Sequence, residues 1–235
     1  MIHSINNFTL KNLFLNPLNA DACCDNFIGT LVYGNNGFEF NNQNIYFGLE
    51  LKSKTNNAIV QYREEMDYLN FKPHSQNRKI VILLESPHNE EYNAQLQIAK
   101  SGPACGNSGC VFNNNAIRVF NANINIIVNK LNPNPKEEFD IYFVNAIQYQ
   151  CSLGKTNFNR NLRDHIFINL WSNPIYDFKN DLLERLQIIS PDLIINACTQ
   201  NLKNSCCNAS QIASNFNYLD ANYHISLWYN NVILI

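Results

Sequence analysis

The sequence predicts an α/β fold: a sheet of four parallel strands with helices packed against it. Apolar runs without alternation, such as Lys79-Ile-Val-Ile-Leu-Leu84, read as strands buried on both faces. Helical patterns stand between successive runs, and that alternation implies right-handed crossovers and parallel strands. The first run stops abruptly at a carboxylate, a proline and a histidine. Polar groups at the carboxyl end of such a strand mark where open α/β sheets bind ligands.

The elements follow in order. Residues 1–74 read as an extension packed on the core, with paired strands over Ile28–Leu49 around Gly34-Asn-Asn-Gly37 and a helix over Asn56–Phe71. No Pro/Gly/Ser-rich linker precedes Lys79, so this is an appendage to a 75–235 domain and not a second domain. After the first strand, the glycine-punctuated loop Gly102–Gly109 leads into a helical pattern from about Ser108 to Leu131, closed by Asn132-Pro-Asn-Pro135. Phe139–Ile147 is the second buried strand and Pro191–Ala197 the third. Between them, Asp177–Ile189 places Phe178, Leu182, Leu186 and Ile189 on one helical stripe, with Pro191 just past its end. The fourth strand is either the stretch approaching Tyr223-His224 or the terminal Asn231–Ile235.

Composition limits the possible functions. At 235 residues the chain suffices for one α/β domain with a real core. A net charge of -2 gives no whole-chain footprint for nucleic acid, so any DNA contact needs a local basic patch. Asparagine fills much of the polar share and reads as coding drift. Met1–Leu10 lacks the pattern of a secretory leader, and no apolar run approaches the ~20 residues that span a bilayer. A cytoplasmic protein with reduced thiols is expected. The eight cysteines include the pairs Cys23-Cys24 and Cys206-Cys207, but no Cys-x2-Cys sets, so no metal or other cofactor is expected.

Several familiar chemistries fail on spacing. Gly154-Lys155-Thr156 ends like a phosphate loop, but Tyr149 stands where its first glycine belongs. Gly106-Asn-Ser108-Gly109 is one residue off a nucleophile elbow, and no Gly-x-Gly-x-x-Gly follows a strand. What remains is a constellation: Glu85 and Asn145 at strand ends that share one edge of a parallel sheet, with His224 near the carboxyl terminus.

The order Glu85-Ser-Pro-His88, Gly102-Pro-x-x-Gly106-x-Ser108-Gly109, Val144-Asn-Ala-Ile147, Pro191–Ala197 and Tyr223-His-Ile-Ser226 resembles the uracil-DNA glycosylase superfamily. It is most similar to the branch whose first motifs read Gly-Glu-Ala-Pro-Gly and Arg-Pro-Phe-x-Gly-x-x-Gly, over about residues 79–228. The resemblance implies a three-layer sandwich with a central four-stranded parallel sheet flanked by helices, and an active site along the strand carboxyl ends. It puts Glu85 on the catalytic acidic position, Asn145 on the asparagine that reads the flipped base, and His224 on the histidine that stabilises the departing base. Cleaving an N-glycosidic bond builds positive charge on the sugar and negative charge on the base, which suits a carboxylate and an imidazole. The base must leave the stack to be reached.

The resemblance implies a base pocket lined by Ser86, Pro87, His88, Ala104, Cys105, Phe112 and Asn145, with DNA contacts from Gly106, Ser108 and Ser226. The departures inform the substrate. Ser86 stands where another branch carries a catalytic Asp, and His88 where some members carry a pocket-narrowing Tyr. Ala104 or Cys105 replaces a base-stacking Phe, for which Phe112 or Tyr92 offers a ring. The cluster-ligating cysteines of the most similar branch are missing. A wider pocket points to a bulky modified pyrimidine, such as glucosylated hydroxymethylcytosine in phage DNA, and hence to antiviral defence. The loop from Lys155 through Arg160 to Arg163 is the best local basic patch for phosphates, with Phe158 as a wedge. Plain uracil excision in repair, a nucleotide hydrolase using Glu85 with His88, and recognition of modified DNA without cleavage are the alternatives. DNA is the expected partner, with no membrane and no obligatory protein partner.

Overall fold

The structure, a computed structural model, describes residues 23, 25–41, 49–54, 57–62, 76–87, 91, 103–104, 107–148, 151, 160–174, 177–200, 202–203 and 215–235. Its main sheet is built from β1 (Asn26–Gly34), β2 (Gly37–Phe40), β5 (Arg78–Leu84), β6 (Glu138–Asn145), β7 (Leu193–Asn196) and β8 (Tyr218–Asp220), in the order β2-β1-β6-β5-β7-β8. The strands β6, β5, β7 and β8 run parallel to one another, while β1 runs antiparallel to both β2 and β6.

The sheet is therefore six-stranded and mixed, which corrects the expected four-stranded parallel sheet. The hairpin expected inside the extension supplies the two additional strands. The cause lies in β1 itself: its first six residues, Asn26 to Leu31, are buried without alternation, as in a strand covered on both faces. Its register slips between Phe27 and Gly29, a bulge that keeps pairing with β6 through to Val32 opposite Glu138. The two-residue turn of the hairpin falls where the Gly-Asn-Asn-Gly signal places it.

A second correction concerns the helix expected over Asn56–Phe71. Residues Asn57–Tyr62 form β4, paired antiparallel with β3 (Leu49–Lys54) in a separate two-stranded sheet. Leu51 is the register partner of Val60, and Leu49 of Tyr62. The rest of that stretch lies outside the described residues.

The helical pattern over 108–131 resolves into α1 (Asn107–Ala122) and α2 (Ile124–Leu131). The break is Asn123, whose backbone leaves helical geometry. Its side-chain amide accepts from Leu234 N–H at 2.9 Å and donates to the Val232 carbonyl at 2.9 Å. Two residues earlier, the Asn121 amide accepts from Phe38 N–H at 2.7 Å and donates to the Phe38 carbonyl at 2.9 Å. Gly37 makes that approach possible, since a Cβ there would meet Asn121 Oδ1 at 2.4 Å, and its φ of +119° suits glycine alone. Further along come α3 (Arg160–Ser172), not foreseen as a helix, and α4 (Phe178–Ile189), which buries Phe178, Leu182 and Leu186 as its stripe predicts.

Alternate residues of β5 enter two different cores. Ile80, Ile82 and Leu84 pack with Phe112, Phe120, Ile127 and Trp228 on the α1/α2 side. Val81 and Leu83 pack with Phe167, Trp171, Leu182 and Leu186 on the α3/α4 side. Each large side chain so buried contributes about 1.5–3 kcal/mol, and β5 is thereby fixed with helices on both faces. Of the two options for the last strand, the stretch before Tyr223-His224 is the one that joins, as β8. The terminal residues lie alongside it, with Asp220 and Ile235 exchanging backbone hydrogen bonds at 2.8 and 3.0 Å.

Candidate functional site

Three parallel strands bring their carboxyl ends to one rim. Asn145 is the register partner of Leu84 on one side of β5, and Asn196 is the partner of Leu83 on the other. The ladder continues past β6, because Ala146 N–H donates to the Leu84 carbonyl at 2.7 Å and Ile147 N–H to the Glu85 carbonyl at 3.0 Å. Glu85, the first residue beyond β5, is thus held by its main chain at the rim, with only 5% of its surface exposed.

Its carboxylate is approached from both helical layers. From α3, Arg163 Nη1 lies 3.5 Å from Oε1. After β7, Thr199 N–H donates to Oε2 at 3.3 Å. From the α1 side, His224 Nε2 lies 3.7 Å from Oε2. A carboxylate this deep needs such partners, because an isolated buried charge is costly.

His224 is the N-cap of a 3-10 turn, Ile225–Leu227, and its Nδ1 accepts from Ser226 N–H at 3.2 Å. Ser226 Oγ stands 2.9 Å from the same nitrogen. An accepting Nδ1 assigns the proton of the neutral ring to Nε2, the atom facing Glu85. Burial pushes the His224 pKa below its usual 6.5; Glu85 opposes that shift, and the charges of Arg163 and Lys203 add to it. The turn is anchored by Trp228, fully buried with its ring centroid 5.1 Å from that of Phe112, and by Arg118, which donates to the Asn230 carbonyl at 3.0 Å.

Asn145 is 1% exposed, and its amide nitrogen has no hydrogen-bond partner among the described residues. The pleat of β6 sets its side chain on the α1 side with Phe143, the layer from which His224 arrives. Leaving such a donor unpaired costs about 1–3 kcal/mol, which a ligand acceptor offsets. Its carbonyl is held by Arg185 of α4 at 3.0 Å, and the same guanidinium grips Asp25 through two contacts of 2.8 Å.

The remaining sequence candidates divide clearly. Ser86 is half-buried and hydrogen-bonds the Cys151 side chain; burial pushes the pKa of that thiol up to about 12. Pro87 and Ala104 are buried, and Ala104 adopts a φ of 57°, a left-handed conformation uncommon outside glycine. Phe112 is fully buried, with Phe143 at 4.9 Å and Trp228 at 5.1 Å, so its ring belongs to the core. Ser108 is half-buried in the first turn of α1. Ser226 serves His224.

Arg163, expected in a phosphate-binding loop, instead directs its guanidinium inward to Glu85, to Asp164 and to Thr199 Oγ1 at 3.1 Å. Arg160 is the first residue of α3. His88, Tyr92, Cys105, Gly106, Lys155 and Phe158 lie outside the described residues.

Sequence reasoning passed over Thr199, Asp164, Lys203 and Cys151. Thr199 was open to the same reasoning as Glu85, since it closely follows the carboxyl end of a parallel strand. Among the described residues, no helix is long and apolar enough to cross a membrane, and no three His, Cys, Asp or Glu side chains gather as metal ligands.

No family model, curated protein or solved structure matches this chain.

Proposed function

We propose that this protein is a DNA glycosylase, a divergent relative of the uracil-DNA glycosylase superfamily, which hydrolyses the N-glycosidic bond of a flipped-out modified pyrimidine. The observation that carries this reading is the pairing of Glu85 with the Nε2–H face of His224 at 3.7 Å, on the rim where β6 ends in Asn145, whose amide nitrogen has no partner among the described residues. Hydrolysis breaks the bond between C1′ and the base nitrogen. Glu85 favours the positive charge developing on the sugar, orients the water that adds to C1′ and takes up the proton that this water loses. His224 donates through Nε2 to the base as it leaves with the bonding electrons. Asn145 reads the base edge, and an abasic site remains.

The substrate side of the proposal draws on Ala104 and Phe112. A small side chain, Ala104, stands where the superfamily places a stacking ring, and Phe112, committed to Phe143 and Trp228, does not supply one. A base enlarged at C5, such as glucosylated hydroxymethylcytosine, suits this arrangement better than uracil. Removal of such a base from phage DNA is the biological role it supports.

The test is incubation with duplexes carrying uracil or glucosylated hydroxymethylcytosine at one position, followed by alkali. Strand breaks at the modified position are expected, and stronger for the bulky base. Binding without breaks would turn the reading into recognition alone, and indifference to both duplexes would turn it toward a small-molecule hydrolase.

A further inference from the structure

We propose that Arg163 is the positioning residue of this site, holding the Glu85 carboxylate from α3 so that it stays aligned with His224; its catalytic consequence rests on the glycosylase reading above. The two carboxylate oxygens have different partners. Oε1 faces Arg163 Nη1 at 3.5 Å, whereas Oε2 receives Thr199 N–H and faces His224 Nε2. A carboxylate engaged at both oxygens from three elements has its plane fixed, with one oxygen turned to Arg163 and the other to Thr199 and His224.

Arg163 is itself fixed. Asp164 Oδ1 takes hydrogen bonds from Nε at 2.9 Å and from Nη2 at 2.6 Å, and Nη2 also donates to Thr199 Oγ1 at 3.1 Å. Thr199 thus touches both members, through its hydroxyl to Arg163 and its backbone N–H to Glu85. The planar fork of a guanidinium supports this division of donors, and an ammonium does not. With its remaining nitrogen turned to a buried carboxylate, Arg163 acts within the protein.

The charged and titratable groups around the pair are Arg163 and Asp164 on α3, Lys203 after β7, His224 before the 3-10 turn, and the thiol of Cys151 after β6. Arg163 opposes protonation of His224, and Glu85 favours it.

The experiment compares Arg163→Gln, Arg163→Lys and Thr199→Val with the wild type by two readouts. The first needs no activity: the His224 imidazole is titrated by NMR in the unliganded protein. Its midpoint is expected to move up in Arg163→Gln and to return toward wild type in Arg163→Lys. The second is single-turnover base release from the two duplexes named above. Here Arg163→Gln is expected to lower the rate constant by about 30-fold or more while the Kd for DNA stays within about threefold. Arg163→Lys recovers part of the loss, and Thr199→Val loses severalfold.

An unmoved His224 midpoint in Arg163→Gln overturns the proposal whether or not DNA is cleaved. A Kd that weakens as much as the rate also overturns it, making Arg163 a phosphate contact. A shifted midpoint in Arg163→Gln, together with a wild type that cleaves neither duplex, keeps the Arg163 arrangement and removes the glycosylase reading. If Arg163→Gln does not fold, Thr199→Val decides, and an unchanged midpoint there overturns the proposal.

Discussion

Two asparagines flank β5 at the same rim, and their surroundings differ completely. Asn196, at the end of β7, is fully buried, and both ends of its amide are engaged. Its Nδ2 donates to the Tyr218 hydroxyl at 2.6 Å and to Asp220 Oδ1 at 2.9 Å, and its Oδ1 accepts from Cys198 N–H at 3.1 Å. Tyr218 completes the circuit by donating to Asp220 at 2.9 Å. Asn145, at the end of β6, is equally buried, yet its Nδ2 has no partner among the described residues. One amide is spent on joining β7 to β8. The other keeps a donor in reserve at the cost of stability, which is the pattern expected where a ligand completes the bonding.

The comparison is sharpened most by the residue between them. Glu85→Gln removes the charge while keeping the shape, and is expected to slow base release by about 10²–10⁴-fold, or roughly 3–5 kcal/mol of barrier. Single-turnover kinetics check this, and a rate within a few-fold of wild type removes Glu85 from the chemistry.

A smaller effect separates the asparagines. Asn196→Ala removes its hydrogen bonds to the Tyr218 hydroxyl, Asp220 and Cys198 N–H, and should lower unfolding stability by about 2–3 kcal/mol. Asn145→Ala should change stability by less than about 1 kcal/mol while abolishing base release. Urea unfolding of both variants decides it, and equal destabilisation would erase the contrast.

The smallest effect concerns pH. His224 has a folded-state pKa below the 6.5 of the unfolded chain, so between those values the unfolded chain binds more protons. Its contribution to stability is therefore complete above pH 6.5 and declines as pH falls through the lowered value. Denaturant melts at several pH values should show His224→Gln losing less stability on acidification than the wild type. Base release should likewise persist below pH 6.5, where an ordinary histidine would already be charged.

Much of this was legible in the sequence, for identifiable reasons. Runs such as Ile80–Leu84 and Leu193–Asn196 announce buried strands because residues facing two cores cannot alternate. The Gly34-Asn-Asn-Gly37 turn announced the hairpin because turn chemistry is local. It could not announce that β1 pairs with β6, more than a hundred residues away, and the sheet was undercounted accordingly. The place of Glu85 at the rim is legible because a strand end is a position, readable along the chain. Arg163 was misplaced because its partners, Glu85 and Thr199, are brought to it only by the folding of α3 against the sheet. Asn145 and Asn196 both stand at strand ends in the sequence, and what sets their hydrogen bonding apart is the arrival of Tyr218 and Asp220 from a later strand.

The asparagines at 121 and 123 have a consequence for how this protein meets other proteins. An outermost strand carries a row of unmet backbone groups, a template on which another chain can add a strand and begin aggregation. Phe38 lies on the strand at one border of the main sheet, and Val232–Leu234 run along the other. Asn121 answers the first and Asn123 the second, each amide matching a backbone N–H and carbonyl as a neighbouring strand would. Two residues near the end of one helix thus blunt both borders of the sheet formed by the described strands. In a chain with only 15% charged residues, side-chain amides do here what charges do on the edges of other sheets.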